Sequence, residues 1–407
     1  MHYNFDQVHR RDNTLSLKWN PNFYSGEFHG RTDLLPLWVA DMDYAVSDGI
    51  LKRFQKVLDG KIFGYAGFDA EYFEAVAHWN KKRHGVEIRR ETVLFTPGIV
   101  PALDYAVRTF VKEGEAVIIQ RPVYYPFAKA IENNGRKLVN SPLLERPGGD
   151  YGMNYADFEQ KIVENQVKLF ILCNPHNPVG QVWKREELEK IAAICLEHKV
   201  IMLSDEIHYD LMFYGAKFTS VLTLPDEIKN NSIVCNAVSK TFNLAGLQVS
   251  NTIIHNPELR ARFRQTLERS HVALPNAFAV EGVKGCYYES DDWYEQMIKY
   301  IEGNITFAAD YISARIKPLS MRRHQGTYLG WIDARGLELG NEQLADLCEA
   351  RAKVAFDYGY WFGPEGEGFL RINLACTRAT LEQALKKLER AVQSRQKGAL
   401  LKLTFRR

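Results

Sequence analysis

The segment from residue 168 to residue 246 contains three apolar runs, and polar residues follow each run directly. The runs, with the residues that follow them, are KLFILC before NPHNPVG (168–180), VIMLS before DEIH (200–208) and SIVCNAVS before KTFNLAG (232–246). Their near-continuous apolar character is typical of parallel strands that are buried on both faces. Segments with helical periodicity separate the runs, as in βαβ units. The sequence therefore predicts an α/β fold.

The same alternation extends from about residue 48 to residue 290. Further strand candidates are VIIQ (117–120) and SNTIIH (250–255). Helical patterns include DGILKRFQKVLDG (48–60) and AEYFEAVAHWNKKRHG (70–85), and each of them ends at a glycine. This position predicts left-handed C-caps at Gly60 and Gly85.

Beyond residue 290 the pattern changes to one long helical segment, the glycine-punctuated GTYLGWIDARG and a late strand, FLRINLA. The first 45 residues show little helical periodicity and contain several aromatic residues. We therefore predict a large domain at 49–290, a smaller α+β domain at 291–407 and an N-terminal segment, 1–48, that packs with the smaller domain.

Composition excludes several classes of function. The chain has 407 residues with 52 basic and 50 acidic side chains, and its net charge of +2 provides no electrostatic footprint for nucleic acid. No apolar run approaches the ~20 residues that span a bilayer. The six cysteines are widely separated and have no metal-ligand spacing, so we expect reduced, mostly buried thiols and no metal site. These features predict a cytoplasmic protein without a nucleic-acid or membrane partner.

Polar groups at the carboxyl ends of parallel strands meet at one edge of a sheet, where ligands bind. Lys240 follows an apolar run, and desolvation there lowers a lysine's pKa and leaves some nucleophilic free amine. Asp205 ends the preceding run, where a carboxylate can keep a pyridinium nitrogen protonated. Taken alone, Lys240 also fits a lysine snorkelling from a strand end, and Asp205 fits a helix N-cap or an ion-pair partner.

Three other segments carry candidate binding residues. In FTPGIVPAL (95–103), Gly98 allows a ligand to approach the backbone closely, so the amides of Ile99 and Val100 can point at a phosphate at the helix N-terminus. The alternative interpretation is an ordinary turn before a helix. Tyr124 follows VIIQ and suits stacking on a planar ring, although ordinary aromatic packing also explains it. In GFLRINLA, strand alternation places Arg371 on a face with Asn373, and Arg371 can bind a carboxylate bidentately.

Together, NPHNPVG, SDEIH, SKTFNLAG and FLRINLA resemble the fold-type I pyridoxal phosphate (PLP) enzymes of the class I/II aminotransferase superfamily. LPLWVADMDY (35–44), FGYAGF (63–68), FTPGIVPAL, RPVYYPF (121–127) and CNPHNPVG are similar to one branch of it, the cystathionine β-lyases of the MalY/PatB type. The resemblance covers residues 10 to 395. It implies a large domain with a mostly parallel seven-stranded sheet flanked by helices, a smaller α+β domain and PLP as the cofactor.

The resemblance also implies residue roles. Lys240 would bind the cofactor covalently, Asp205 would hold the pyridine nitrogen and Asn177 would hydrogen-bond the phenolic oxygen. Tyr124 would stack on the cofactor and take part in catalysis, and Arg371 would bind the α-carboxylate of an amino-acid substrate.

Further roles come from the same resemblance. His208 stands where many aminotransferases have a tyrosine near the phenolic oxygen, and Ser239 would lie beside the phosphate. Trp38 and Ala40, in WVADMD, would contact the substrate, as would Asn177. Tyr65 matches a residue that reaches the neighbouring subunit's phosphate, which implies a homodimer with shared active sites.

The sequence differs from that of ordinary aminotransferases at two positions, and this difference distinguishes two enzymatic hypotheses. Gln248 stands eight residues after the lysine, where ordinary aminotransferases commonly have a phosphate-binding arginine, and Ala237 stands where they often have a serine. The sequence therefore favours a carbon–sulfur β-lyase that releases a thiol, pyruvate and ammonia from cystathionine or related thioethers, with an aminotransferase as the alternative. A regulatory protein that keeps the fold but has no enzymatic activity is a third possibility. A DNA-binding role is poorly supported, because few residues precede the predicted large domain and the chain is nearly neutral.

Overall fold

A computed structural model describes residues 2–404 of the chain, with side chains described through residue 396. Its largest sheet has seven strands, which we number along the chain. They are β1 (Val93–Thr96), β2 (Ala116–Ile119), β3 (Lys137–Asn140), β4 (Leu169–Cys173), β5 (Ile201–Asp205), β6 (Ser232–Asn236) and β7 (Ser250–Ile253).

The strand order is β1-β7-β6-β5-β4-β2-β3. The pairings among β2, β3, β4, β5 and β6 are parallel, whereas β7 is antiparallel to both of its neighbours. Cys173, Asp205 and Cys235 are register partners across three adjacent strands, so the ends of these strands are level. The expected α/β fold with a mostly parallel seven-stranded sheet is confirmed.

The central strands are buried along their whole length, since β2, β4 and β6 contain no exposed residue. Their apolar side chains divide between two core clusters: Ile118 and Phe170 belong to one, whereas Val117 and Leu169 belong to the other. This division requires helices on both faces of the sheet. The helices of this region are Asp48–Asp59, Ala70–His84, Ile99–Phe110, Pro126–Glu132, Tyr155–Asn165, Arg185–Glu197, Asp226–Asn230, Val238–Thr241, Pro257–Arg269 and Ala277–Glu289.

The two glycine-terminated helices end differently. Gly85 has a φ of +67° and its amide donates to the last turn of its helix, as predicted for a left-handed cap. The prediction for Gly60 is wrong, because Gly60 has a φ of −67° and remains right-handed. Lys61 takes the positive φ instead, at +56°, and its amide donates to the Leu58 carbonyl (3.1 Å). The turn is therefore made one residue later than the sequence pattern predicts.

The apolar run SIVCNAVS also differs from its prediction, since β6 ends at Asn236 and a single helical turn, Val238–Thr241, follows. The Thr241 hydroxyl donates to the buried carboxylate of Asp210 (2.8 Å), which holds this turn against the sheet. A short apolar run does not distinguish a strand from a helix by periodicity. Lys240 consequently lies on a helical turn rather than directly at a strand end.

The second region contains a four-stranded antiparallel sheet in the order β8-β9-β11-β10. Its strands are β8 (Ser320–Met321), β9 (Leu329–Asp333), β10 (Asp357–Tyr358) and β11 (Phe369–Asn373). The helices here are Asp291–Arg315, Asn341–Asp346 and Arg378–Thr404.

The N-terminal segment contacts this second region directly. Leu35–Pro36 pairs in parallel with Val354–Ala355, and the ring of Phe5 lies against Trp293 (centroids 5.9 Å apart). Ser290 alone separates the helices on either side of the predicted boundary. We retain the division at residues 48/49 and 290/291 as a proposal that these contacts support.

Two further sequence-based predictions concern the cysteines and the absence of a membrane-spanning segment. All six cysteines are free and buried, in agreement with the prediction of buried thiols. Within the described part of the chain, none of the helices is both long enough and apolar enough to cross a membrane.

Candidate active site

A pocket of about 280 Å³ opens at the carboxyl edge of the seven-stranded sheet. Its walls come from the segments that follow β1, β2, β4, β5 and β6, and from the residues that precede the antiparallel β7. The pocket brings together ten of the residues singled out from sequence. They are Ala40, Gly98, Ile99, Val100, Tyr124, Asn177, Asp205, His208, Ser239 and Lys240.

Lys240 lines this pocket as a half-buried side chain, and it has no carboxylate within hydrogen-bond distance among the described residues. Its Nζ donates to the carbonyl oxygen of Ala40 (2.6 Å), which also accepts from the Tyr328 hydroxyl (2.9 Å). Burial lowers the pKa of Lys240 to about 8, although the charge of Asp41 opposes the shift. A fraction of the amine is therefore uncharged and nucleophilic near neutral pH.

Asp205 is the last residue of β5, and its carboxylate accepts one hydrogen bond from the described residues, from the Ile207 amide (3.0 Å). Burial raises the pKa of Asp205 to about 7, against the opposing effects of that hydrogen bond and of Lys240. A buried carboxylate with unused acceptor capacity is costly unless a cation or donor meets it. The position of Asp205 therefore suits a ligand that carries a protonated nitrogen.

His208 also lines the pocket, and burial holds its pKa well below the usual value, so the ring is neutral. Its Nδ1 is buried and has no hydrogen-bond partner among residues 2–396. The nearest ring contact is an edge-on approach to Tyr328, with centroids 6.2 Å apart. A neutral imidazole with an unused nitrogen can bind a polar atom of a ligand.

The N-terminus of helix Ile99–Phe110 forms another part of the pocket wall. Gly98 precedes the helix with a φ of +104°, a conformation that strains other residues, and it provides no side-chain cap. The first amides of a helix have no intrahelical acceptor, so the amides of Ile99 and Val100 are available to an anion. Ser239 and the uncharged Gln248 line the same pocket.

Tyr124 and Asn177 connect the pocket to the second region. The Tyr124 amide donates to the Asn177 carbonyl (3.1 Å), and the Asn177 side-chain oxygen accepts from Nη1 of Arg371 (3.0 Å). Burial raises the pKa of the Tyr124 hydroxyl, so it keeps its proton at neutral pH. These bonds place Arg371 directly behind the pocket wall rather than in its lining.

Arg371 is 3% exposed and is surrounded by acceptors. Its Nη2 donates to the Trp38 carbonyl (3.3 Å) and forms a buried ion pair with the Asp357 carboxylate. Trp38 therefore reaches this cluster through its backbone, while its indole nitrogen donates to the carbonyl of Lys18 (3.3 Å).

The segment that follows Leu37 contacts both Arg371 and Lys240, through the carbonyls of Trp38 and Ala40, and two asparagines hold it. The Asn373 side-chain nitrogen donates to the carbonyls of Val39 and Asp41 (2.6 Å each), which agrees with the prediction that Asn373 shares a face with Arg371. Asn243 accepts from the Met42 amide (2.9 Å) and donates to its carbonyl (3.0 Å). The Ala40 carbonyl that meets Lys240 is thus fixed from both sides.

Sequence reasoning missed Tyr328, Asn243 and Asp357. Asn243 lies in the quoted SKTFNLAG motif, and Asp357 is a single charge within the otherwise uncharged VAFDYGYWF (354–362), so a search for isolated polar residues in apolar runs could have found both. Tyr328 gives no comparable signal, since a tyrosine among apolar residues is ordinarily part of the core.

Tyr65 does not join the pocket of its own chain, because its side chain is fully exposed. It lies between helices Asp48–Asp59 and Ala70–His84, beside the exposed apolar side chains of Ile62 (86%) and Phe63 (64%). A role for Tyr65 at a phosphate requires a second subunit.

Comparisons with known proteins agree with this geometry. The model of the family "Aminotransferase class I and II" matches residues 32–388, and the chain belongs to this family. The chain is 41% identical over 389 residues to cystathionine beta-lyase PatB of Bacillus subtilis (strain 168), covering 96% of this chain and 100% of that protein.

Two solved structures are also similar over nearly the whole chain. Cystalysin from Treponema denticola, which contains a pyridoxal 5'-phosphate cofactor, has a TM-score of 0.92 and 36% identity, covering 97% of this chain and 100% of that one. The PLP-bound C–S lyase from Staphylococcus hominis has a TM-score of 0.90 and 31% identity, covering 96% and 98% of the two chains.

Proposed function

We propose that this protein is a PLP-dependent carbon–sulfur β-lyase that cleaves cystathionine or related cysteine thioethers. The observation that carries the proposal is one pocket that holds a partly uncharged lysine amine, a buried carboxylate and an uncapped helix N-terminus. The products are a thiol, pyruvate and ammonia, and the overall reaction consumes one water. The similarity to PatB and to the C–S lyase from Staphylococcus hominis supports the same class of reaction.

The residues present fit pyridoxal phosphate at both of its ends. At one end, Asp205 has unused acceptor capacity for a protonated ring nitrogen. At the other, the free amides after Gly98 suit a phosphate, and Ser239 adds a hydroxyl. Lys240 would bind the cofactor covalently. When bound, pyridoxal phosphate withdraws electrons from the substrate's α-carbon.

The side chains of three residues complete the proposed cofactor site. Asn177 would donate to the phenolic oxygen through its side-chain nitrogen, since its side-chain oxygen accepts from Arg371. Tyr124 would stack on the ring. The neutral His208 would offer its unused Nδ1 to the same face of the site.

Lys240 is also the residue that we propose as the general base. Its pKa of about 8 lies close to neutrality, which favours proton exchange at that pH. The amine, when free, can take the proton from the substrate's α-carbon and hold it at Nζ. The Ala40 carbonyl accepts from the same Nζ and so orients the amine.

Arg371 is the proposed site for the substrate's α-carboxylate. It is buried, cationic and bonded to Asn177, which lines the pocket. Trp38 and Ala40 would contribute backbone carbonyls to the substrate side of the pocket, because those atoms face Arg371 and Lys240.

An aminotransferase remains the second candidate, and the family model's description favours it. Both reactions begin with removal of the α-proton, so they share the residues above. The uncharged Gln248 at the phosphate end supports the lyase, because an arginine is common at that position in ordinary aminotransferases.

We also propose a homodimer with shared active sites. Support comes from the fully exposed Tyr65 and its exposed apolar neighbours, since contiguous apolar surface marks interaction sites. Tyr65 of one subunit would reach the phosphate end of the other. A fully active species of monomer mass in analytical sedimentation would refute this assembly.

The six buried, free thiols support a reducing compartment, so we propose a cytoplasmic location. The function is tested by incubating the PLP-loaded protein with cystathionine and measuring thiol and pyruvate release. A parallel assay measures amino transfer to a keto acid. We expect thiol and pyruvate in equal amounts, with amino transfer minor; faster amino transfer across several thioethers would favour the aminotransferase.

A further inference from the structure

The ion pair between Arg371 and Asp357 lies behind the pocket and has no place in the proposed reaction. The two residues are register partners on β11 and β10, and their side chains are 4% and 2% exposed. A buried ion pair is weak evidence for stability, because desolvation of both charges offsets their attraction. The pair therefore calls for a functional explanation.

The hydrogen bonds of Arg371 show which of its donors remain for a substrate. A guanidinium binds a carboxylate with two parallel bonds along one of two edges, Nη1–Nη2 or Nε–Nη2. Nη2 belongs to both edges, and its two hydrogens are committed to the Trp38 carbonyl and the Asp357 carboxylate. Nε is buried without a partner among the described residues, and Nη1 donates to Asn177.

This arrangement means that a substrate carboxylate cannot bind Arg371 bidentately while both Nη2 contacts persist. The Trp38 carbonyl is a weak, neutral acceptor at 3.3 Å, whereas Asp357 carries a full charge. Two carboxylates that share one guanidinium repel each other in a buried site. The repulsion is removed if the substrate carboxylate replaces the Asp357 carboxylate on Arg371 and Asp357 becomes protonated.

We propose that Asp357 occupies the carboxylate site of Arg371 in the resting protein and that the α-carboxylate of the substrate displaces it. Asp357 then takes one proton from solvent, so that the site gains one anion and one proton together. This inference rests on the proposed role of Arg371 and deepens it. Carboxylate binding is thereby coupled to proton uptake.

The groups around Asp357 determine the direction of this coupling. It faces Arg371 on the adjacent strand, Glu27 in the N-terminal segment, and Tyr124 and Tyr125 after β2. Burial raises the pKa of Asp357 to about 6, and Arg371 opposes the rise. A bound carboxylate screens Arg371 and adds a negative charge, so the pKa rises further and Asp357 becomes protonated near neutral pH. Affinity for the carboxylate therefore falls as the pH increases above about 6.

The test uses calorimetric titration of the PLP-loaded protein with 3-(methylthio)propionate, a thioether carboxylate that has no amino group to react with the cofactor. Titrations at one pH in two buffers of different ionisation enthalpy count the protons taken up. We expect the wild-type protein to take up most of one proton per bound carboxylate at neutral pH. This count requires no variant, so it does not depend on the folding of one.

The Asp357→Asn variant keeps the side-chain shape and removes the charge. We expect it to lose the proton uptake, to lose the pH dependence of binding and to bind the carboxylate roughly tenfold more tightly at pH 8. The matched control is Asp333→Asn, because Asp333 lies on the same small sheet but pairs with Arg335 at the surface. The control is expected to behave as wild type.

Two results would overturn the inference: binding without proton uptake in the wild-type protein, or weaker binding by Asp357→Asn with an unchanged pH dependence. The second result would make Asp357 a residue that only positions Arg371. Failure of the underlying premise gives a different result, since Arg371→Gln would then bind the carboxylate as well as wild type. Failure of the lyase reaction is detected separately, as absence of thiol release.

Discussion

Two lysines of this protein, the half-buried Lys240 and the buried Lys284, have opposite surroundings. Lys240 donates to a backbone carbonyl, and its pKa is lowered to about 8. The side chain of Lys284 is 2% exposed, yet it contacts the carboxylates of Asp69 (2.5 Å), Glu281 (2.7 Å) and Glu71 (3.1 Å), and its pKa is raised. Burial alone therefore does not decide whether a lysine is reactive; the nature of its partners does.

The two lysines also serve different parts of the molecule. The carboxylates around Lys284 lie at the start of helix Ala70–His84 and within helix Ala277–Glu289, and Arg53 of helix Asp48–Asp59 joins the network through Glu71 and Glu281. This network ties together the helices that flank the exposed segment containing Tyr65. A paired charge thus supports structure, and an unpaired one is available for chemistry.

The largest effect is expected at Lys240. Lys240→Ala should abolish covalent attachment of PLP and lower turnover by at least roughly 1,000-fold, because both the nucleophilic amine and the proposed base are lost. Borohydride reduction followed by mass spectrometry detects the attachment. Lys284→Ala is the control and should still form the adduct; an unchanged adduct in Lys240→Ala would assign the chemistry to another lysine.

A second large effect is expected at Asp205. Asp205→Ala should lower kcat by roughly 100-fold or more, since the cofactor ring loses the carboxylate that keeps it protonated. Its neighbour Glu206 provides a contrast, because its carboxylate already accepts from Ser220 (2.7 Å) and the Val221 amide (2.9 Å). Glu206→Gln should lower the thermal midpoint while kcat changes much less. Equal losses of kcat in the two variants would contradict the separate roles.

Arg371 has fewer carboxylate partners than Lys284 and more than Lys240, because it is a buried cation that pairs with one carboxylate among the described residues. Arg371→Ala should lower kcat/KM, because the α-carboxylate loses its charged site. The loss should correspond to about 2 to 4 kcal/mol of transition-state stabilisation. Steady-state kinetics with a cysteine thioether measure the loss. If amines without a carboxylate lost as much activity as amino acids, Arg371 would not be the carboxylate site.

Removal of the Lys284 charge should affect stability rather than chemistry. Lys284→Met should lower the free energy of unfolding by about 1 to 3 kcal/mol, a range below that for fully buried pairs because the three carboxylates are partly exposed. Urea unfolding of the PLP-loaded protein measures this. An unchanged unfolding midpoint would show that the network adds no net stability.

The smallest effect is a pH dependence that reports on Lys240 itself. The amine reacts only when deprotonated, and its pKa is lowered, so the reactive form accumulates as pH rises through about 8. The rate at which the cofactor-free protein binds PLP should therefore increase severalfold between pH 7 and pH 9 and then level off. A rate that kept rising to pH 10 would mean that Lys240 titrates like an exposed lysine.

The sequence by itself determined the sheet and most of the residues around the pocket. Apolar runs of strand length precede the segments that carry Asn177, Asp205 and Lys240, and parallel strands bring their carboxyl ends to one edge by a local rule, although Lys240 itself lies on the helical turn after β6. The family resemblance added roles for these residues, and Lys240, Asp205 and Asn177 line one pocket as expected.

Only the tertiary structure decided the electrostatic state of these groups. Lys240 and Lys284 both stand among apolar residues in the sequence, and only the i,i+3 spacing of Glu281 and Lys284 is visible there. No local pattern shows that Lys240 meets the Ala40 carbonyl, 200 residues away, or that Lys284 meets Asp69, 215 residues away. The pairing of Asp357 with Arg371 likewise depends on the register of two short strands. Local periodicity specifies elements, whereas desolvation and charge pairing depend on contacts between distant parts of the chain, and these exist only once the chain has folded.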